Sequence, residues 1–257
     1  MDKNCLVTKF KATVNNSNLP ILGELILTVE SSDEYTGANY SIGLSVVQGK
    51  SVDVYIEGDG TFSVSGNTGL KRYTLTRYQD SSTFVFSNGD YKVHITDKYN
   101  ISIINFSAER SKIYIPESFK TDVKYLANLT SLKYGNDLFT SLSSFNSNSN
   151  LEVLNLRPNK VLVGSFSDIQ PSLEELVLGY CDNFEDVLSN VPSSSILTLL
   201  NLRNTKVTGT LESLVAKMSG RTTGTIAVVC NNFITLNGSV VGNNVTKTYN
   251  FQTQTWN

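Results

Sequence analysis

Leucines recur along the second half of the chain in one fixed spacing. "LEVLNLRPN" starts at Leu151, "LEELVLGYC" at Leu173 and "LTLLNLRNT" at Leu197. In a short strand, alternation sends Leu154 and Leu156, Leu176 and Leu178, and Leu200 and Leu202 to the same side. One strand cannot cover its own apolar face, so these blocks gain a core only by stacking strand beside strand. Carrying the frame outward gives leading positions Ile101, Leu129, Leu151, Leu173, Leu197 and, weakly, Thr223, separated by 28, 22, 22, 24 and 26 residues. Each interval holds one strand and a segment that returns the chain to the start of the next strand.

The ninth position of each block supports the same frame: Asp137, Asn159, Cys181, Thr205 and Asn231. A small or polar side chain here can point inward and satisfy backbone groups in the turn after the strand. With these two signals in place, residues 101–232 resemble the leucine-rich repeat family. "NTKVTGTLESL" (204–214) resembles the N-x-L-x-G-x-I continuation of one repeat class. The chain departs from the family pattern in long connections after Asn105 and Leu197, and in a degenerate last block, "TGTIAVVCN".

Before the repeats the period is shorter. "CLVTKFKATV" (5–14), "ELILTV" (24–29), "YSIGLSVV" (40–47), "SVDVYIE" (51–57), "TFSVS" (61–65), "RYTLTRY" (72–78), "STFVFS" (82–87) and "YKVHIT" (91–96) read as strands. They are rich in β-branched and aromatic residues, and "EGDG", "SGNTG" and "SNGD" between them are turn signals. The expectation is a mainly β fold with short helical or irregular connections. A β-sandwich-like N-terminal domain (1–98) for docking, with a small barrel as the alternative, precedes a repeat solenoid (99–232), and a β-hairpin cap (233–257) follows it, with Phe251 and Trp256 as core plugs.

Composition narrows the function. The 21 basic and 23 acidic residues leave no positive footprint for nucleic acid. No apolar run is long enough to insert in a membrane, and "MDKNCLVTKF" lacks the apolar core of a signal peptide. Three cysteines make no disulfide framework, and neither CxxC nor HxxxH starts a metal site. Cys181 and Cys230 are expected as free thiols, too far apart to bond. His94, the single histidine, has no nucleophile signature beside it and reads as a structural or solvent-facing strand residue. Asp182, Glu185 and Asp186 read as a solvated face. The expectation is a non-enzyme with no cofactor and no metal.

What remains is the side of the repeat strands turned away from the core, at the third, fifth and seventh positions. It comprises Ser131, Lys133, Gly135; Val153, Asn155, Arg157; Glu175, Val177, Gly179; and Leu199, Asn201, Arg203, with Tyr180 at the edge. Arginine, asparagine and tyrosine suit recognition of a sugar or a protein edge, so Lys133, Asn155, Arg157, Glu175, Tyr180, Asn201 and Arg203 are the candidate binding residues. An ordinary solvated sheet is the alternative.

A second resemblance bears on the biological setting. The opening "CLVTKFKATVNNSNLPILGEL", followed by a β-domain and repeats, resembles proteins of gut Bacteroides and of their phages and prophages. That resemblance implies a structural protein of the virion, tail-associated, assembled in the host cytoplasm. Its implied partners are other virion proteins and a host-surface glycan or protein, with homo-oligomerisation left open. A bacterial leucine-rich repeat adhesin or interaction protein at the cell surface is the alternative.

Overall fold

The computed structural model describes residues 24–29, 40–58, 61–64, 67–68, 72–76, 82–88, 90–107, 113–114, 119–135, 137–193 and 195–257. The strand expected at 5–14 and Cys5 lie outside them. Among the described residues the protein is mainly β, arranged in several sheets, none of them closed.

In the first part, alternation decides which side of each strand is buried. The strands are β1 Leu25–Val29, β2 Tyr40–Val46, β3 Val52–Gly58, β4 Thr61–Val64, β5 Asn67–Thr68, β6 Arg72–Leu75, β7 Ser82–Asn88, β8 Tyr91–Ile95, β9 Ile101–Ser107 and β10 Ile113–Tyr114. β10, β1, β8, β3 and β6 form one antiparallel sheet in that order. Its inward residues, among them Leu27, Val54, Ile56, Val93 and Ile95, are fully buried. The facing set, Ile42, Leu44, Phe84 and Phe86, comes from β2 and β7, which belong to a second sheet. Tyr73 meets Phe84 edge-on at 5.7 Å between ring centroids, and Tyr91 meets Phe86 at 4.9 Å, so aromatic contacts join the two sheets.

The second sheet continues without interruption into the repeat region. β9 pairs antiparallel with β2 on one side and parallel with β11 (Ser131–Lys133) on the other. Parallel pairing then runs through β12 (Val153–Asn155), β13 (Glu175–Val177), β14 (Leu199–Asn201) and β16 (Thr225–Val229), where β15 (Gly209–Thr210) precedes β16 in the chain. The boundary drawn at 98/99 falls in the 3₁₀ turn Lys98–Asn100, directly before the strand that the two regions share. One apolar cluster extends from Leu25 to Phe251.

Registers confirm the frame for the central strands. Leu132, Leu154, Leu176 and Leu200 lie in one row and are buried. Short segments opposite the strands carry the return: α1 Phe119–Asp122, α2 Leu211–Lys217 and 3₁₀ turns at Leu142–Phe145, Phe166–Asp168 and Leu188–Asn190. Ser141, Ser165 and Thr210 cap three of these through their hydroxyls. Phenylalanines 119, 139, 145, 166 and 184 fill the space between returns and strands.

Three expectations need correction. In the last block, the frame starting at Thr223 puts Ile226 beside Leu200, but Val228 pairs there. A shift of two residues keeps Ile226 and Val228 inward, because side-chain alternation has a period of two. Of the ninth positions, Asn159, Cys181, Thr205 and Asn231 are buried, whereas Asp137 is exposed and accepts a 2.6 Å hydrogen bond from the Lys160 N–H. An ionised carboxylate loses too much hydration to enter an apolar turn. Asp186 is more than a solvated side chain, since its Oδ2 accepts from Ser165 Oγ at 3.0 Å and from the Phe166 N–H at 2.6 Å.

The tail pairs what would otherwise be an open edge. β19 (Thr246–Asn250) runs antiparallel along β16, and β20 (Thr255–Trp256) pairs with β19. β17 (Ile234–Leu236) and β18 (Ser239–Val240) form a hairpin around Asn237 and Gly238, and β17 also pairs with β15. Phe251 is buried, but Trp256 is only half-buried, packing against Tyr249 at 5.0 Å with the rings tilted by 52° at the sheet edge. Arg221 pins this end. Its guanidinium donates to the Leu197, Thr223 and Thr225 carbonyls and lies 4.6 Å over the Phe251 ring.

Cys181 and Cys230 are free and fully buried. Burial pushes their thiols up, to about 12 and about 11, from an ordinary 9.0. Neither is therefore expected to react with a thiol reagent at pH 8 until urea unfolds the chain, a difference that reagent titration with peptide mapping measures. The unfolded chain loses these protons near 9.0, the folded chain only near 11 and 12. Their stabilising contribution is thus whole below pH 9.0 and is lost as pH rises through those values. Rapid labelling of both residues in folded protein at pH 8 would contradict the burial.

Candidate functional site

The outward side of the parallel strands gathers the residues singled out from the sequence. Lys133, Asn155, Val177 and Asn201 stand in one row by direct pairing. Each asparagine does a local job with its oxygen. Asn155 Oδ1 accepts from the Arg157 N–H at 3.1 Å, and Asn201 Oδ1 from the Arg203 N–H at 3.2 Å. Fixing the oxygen fixes the amide, so both Nδ2 groups remain as donors on the open side of the sheet.

The next column reads Gly135, Arg157, Gly179, Arg203 across successive strands. The glycines decide how close the arginines come. A Cβ at Gly179 would lie 3.2 Å from Arg157 Cδ and 3.1 Å from Asn201 Oδ1. Those side chains lie over the glycine and cover it, so Gly179 is buried, not displayed. Ser131 and Val177 are also covered at 8% exposure each; Val153 and Ile103 flank Ser131 in register, and Asn155 and Asn201 flank Val177. Three of the positions read as surface are therefore closed.

Tyr180 occupies the left-handed region at φ 63, as does Asn204 at φ 54 at the matching place one strand on. Asparagine adopts that conformation readily, but a bulky side chain there is strained by roughly 1–3 kcal/mol. The strain sets the ring between its neighbours: the guanidinium carbons of Arg157 and Arg203 each lie 4.8 Å from the Tyr180 ring centroid. Two such contacts at a half-open site contribute about 1–2 kcal/mol together. Strain and contacts nearly cancel, so the main consequence of Tyr180 is where it holds two cations. Among the described residues Arg203 has no ion-pair partner, and its Nε is buried without an acceptor.

Glu175 is half-buried on β13 between Val153 and Leu199, and Lys133 is half-buried on β11. All seven candidate residues thus belong to one face. Arg157, Tyr180 and Arg203 form its centre, Asn155 and Asn201 lie beside them, and Lys133 and Glu175 are further along the rows. Sequence reasoning placed Tyr180 near this edge but missed its backbone conformation; the signal was its frame equivalence to Asn204.

A second concavity, about 530 Å³ in volume, lies on the first sheet and is lined by Glu24, Asp53, Tyr55, Glu57, Tyr73 and His94 among others. His94 Nδ1 is 2.8 Å from Glu24 Oε1, and its Nε2 is 3.5 Å from Glu57 Oε2. A carboxylate only accepts, so Nδ1 carries the proton in the first contact. Both ring nitrogens face carboxylates, and the ring is half-buried against Tyr55 at 5.7 Å. Thr74 Oγ1 in the same cleft donates to Asp53 at 2.6 Å. Among the described residues no group of three or more His, Cys, Asp or Glu is arranged to hold a metal ion, and no helix is long and apolar enough to cross a membrane.

No protein-family model, no curated protein and no solved structure matches this chain.

Proposed function

We propose that the protein is a structural and recognition component of a bacteriophage virion, associated with the tail. In this reading the N-terminal sheets are a sandwich that attaches to the particle. The parallel strands are a leucine-rich repeat solenoid, closed by the C-terminal hairpins, and their outward face meets the host surface or another virion subunit. It would be assembled in the host cytoplasm and leave with the particle. The reading rests on the resemblance of the opening segment and the repeats. The observation that carries the recognition part is the Arg157–Tyr180–Arg203 stack: a strained tyrosine holds two guanidinium groups on an open face. Repeat surfaces of this form display side chains from successive strands to a common ligand.

Tests of this reading use the whole chain, because β2 supplies the main-chain partners of β9 and cutting at residue 98 would strip them. Mass spectrometry of purified particles is expected to find the chain in stoichiometric amounts with other tail proteins. Purified protein is expected to compete with particles for adsorption to host cells, and the Arg157→Glu/Arg203→Glu double variant to compete at least about tenfold less well, as loss of a paired cationic contact implies. Absence from purified particles would sink the virion assignment. Unaltered competition by the folded double variant would remove the face from recognition.

A further inference from the structure

The polarity of the outward face points to a ligand class. Its hydrogen-bonding groups are nearly all donors. Asn155 and Asn201 have their oxygens committed to the Arg157 and Arg203 amides, which leaves NH₂ groups outward. Arg157, Arg203 and Lys133 carry only donors, and Glu175 is the one carboxylate in these rows. A face of donors and three cations fits a ligand rich in acceptors and negative charge.

The geometry of the aromatic group selects further. Tyr180 receives a guanidinium from the strand on each side, so its ring faces are already occupied. It therefore does not serve as a platform for an apolar sugar face, and recognition falls to charge and hydrogen bonding. Gly179 stands between the two arginines in the column, and the one side chain between their guanidinium groups is the Tyr180 ring that both of them contact.

Repetition decides between a polymer and a folded partner. Arg157 and Arg203, and likewise Asn155 and Asn201, are separated by two strand spacings, or about 10 Å between backbones. The donor pair thus occurs twice, on β12 and on β14, with Gly179 and Val177 between. Two donor pairs at this separation match an extended chain with acidic groups on alternate sugars, as in a linear polysaccharide. An acidic protein would have to present two carboxylates at the same separation.

We propose that Arg157, Arg203, Asn155 and Asn201 form a binding site for a linear acidic polysaccharide carrying a carboxylate or sulfate on alternate sugars. The polymer lies across the strands, one acidic group to each arginine, with its hydroxyls taking the asparagine amides. The proposal rests on the outward face being a recognition surface, and it names that surface's ligand.

The test measures binding of the full chain to four immobilised polymers: hyaluronan, with carboxylates on alternate sugars; keratan sulfate, with sulfates and no carboxylates; neutral dextran; and poly-L-glutamate. Binding to hyaluronan or keratan sulfate is expected to fall steeply between low and physiological salt. It should drop at least about tenfold in Arg157→Gln/Arg203→Gln, a pair of changes that removes charge-assisted bonds. Asn155→Asp/Asn201→Asp, which keeps the oxygens that cap residues 157 and 203 but turns the outward donors into acceptors, should weaken it as well. Hyaluronan without keratan sulfate identifies a carboxylate ligand, and the converse a sulfate.

Binding of poly-L-glutamate as tight as either glycan would overturn the proposal in favour of an acidic protein. Equal binding to dextran, or binding insensitive to the arginine change in a variant with unchanged melting, would overturn it too, as would no binding to any polymer. The proposed function can fail separately: it is read from particle composition and adsorption competition, neither of which uses these polymers.

Discussion

Gly135→Ala is expected to destabilise the protein by about 3 kcal/mol, in the upper range for a substitution that overfills a packed site. A Cβ at residue 135 would lie 2.0 Å from the Arg157 carbonyl oxygen, 2.7 Å from its carbonyl carbon and 2.9 Å from Pro158 Cδ. Two of these are backbone atoms, so no rotamer change relieves the clash. β11 and β12 must separate just after the paired residues Lys133 and Asn155, where the Tyr134 N–H donates to the Asn155 carbonyl at 2.8 Å. Moving residue 157 also draws its guanidinium away from Tyr180, so stability and ligand binding should fall together. Gly220→Ala is the control, because a Cβ there meets nothing within 4 Å. Urea denaturation should place this control within about 0.5 kcal/mol of the parent. If Gly135→Ala behaves like the control, the two strands do not approach as described.

The second large effect belongs to Asn231→Ala. The amide is 1% exposed and works in two directions. Its Nδ2 donates to the Val207 carbonyl at 2.8 Å and to the Thr205 carbonyl and hydroxyl at 3.1 and 3.0 Å. Its Oδ1 accepts from the Phe233 N–H at 2.8 Å. Alanine leaves the buried Val207 carbonyl and the part-buried Phe233 N–H without these partners; at about 1–3 kcal/mol for the buried group and less for the other, a loss of about 2–4 kcal/mol is expected. Asn150 offers the comparison, since its Nδ2 donates to the Ala127 carbonyl at 2.8 Å but in an exposed turn. Water replaces that partner, and Asn150→Ala should cost under about 1 kcal/mol. Equal losses for the two variants in chemical denaturation would show that the Asn231 site admits water and that its hydrogen bonds are not decisive.

Asn231 also shows how far a local pattern carries. Its ninth-position role follows from spacing alone, and it makes the same contacts as Asn159, whose Nδ2 reaches the Phe139 carbonyl and whose Oδ1 accepts from the Val161 N–H. The strand before it does not follow from spacing. Counting back eight residues from Asn231 gives Thr223, but the chain passes from strand to turn with two residues fewer, and Val228 is the residue that pairs with Leu200. Either alignment keeps the same side chains inward, so only the backbone pairing tells them apart. Asn148, buried with its Nδ2 on the Val123 and Leu126 carbonyls, occupies no frame position and had no local signal.

Alternation is a property of the backbone of one strand, so the leucine spacing alone tells the inward side of each strand from the outward side, from Leu132 to Leu202. The same spacing puts Arg157 and Arg203 in one column, because each stands three residues after the middle leucine of its block, Leu154 and Leu200. Contacts between strands, and not spacing, cover Ser131, Val177 and Gly179, make β9 common to both halves of the molecule, and set the Tyr180 ring between the two guanidinium groups. Each of these depends on the size and backbone conformation of residues one strand away. Those residues lie about twenty or more positions along the chain, beyond the reach of a period read within one strand.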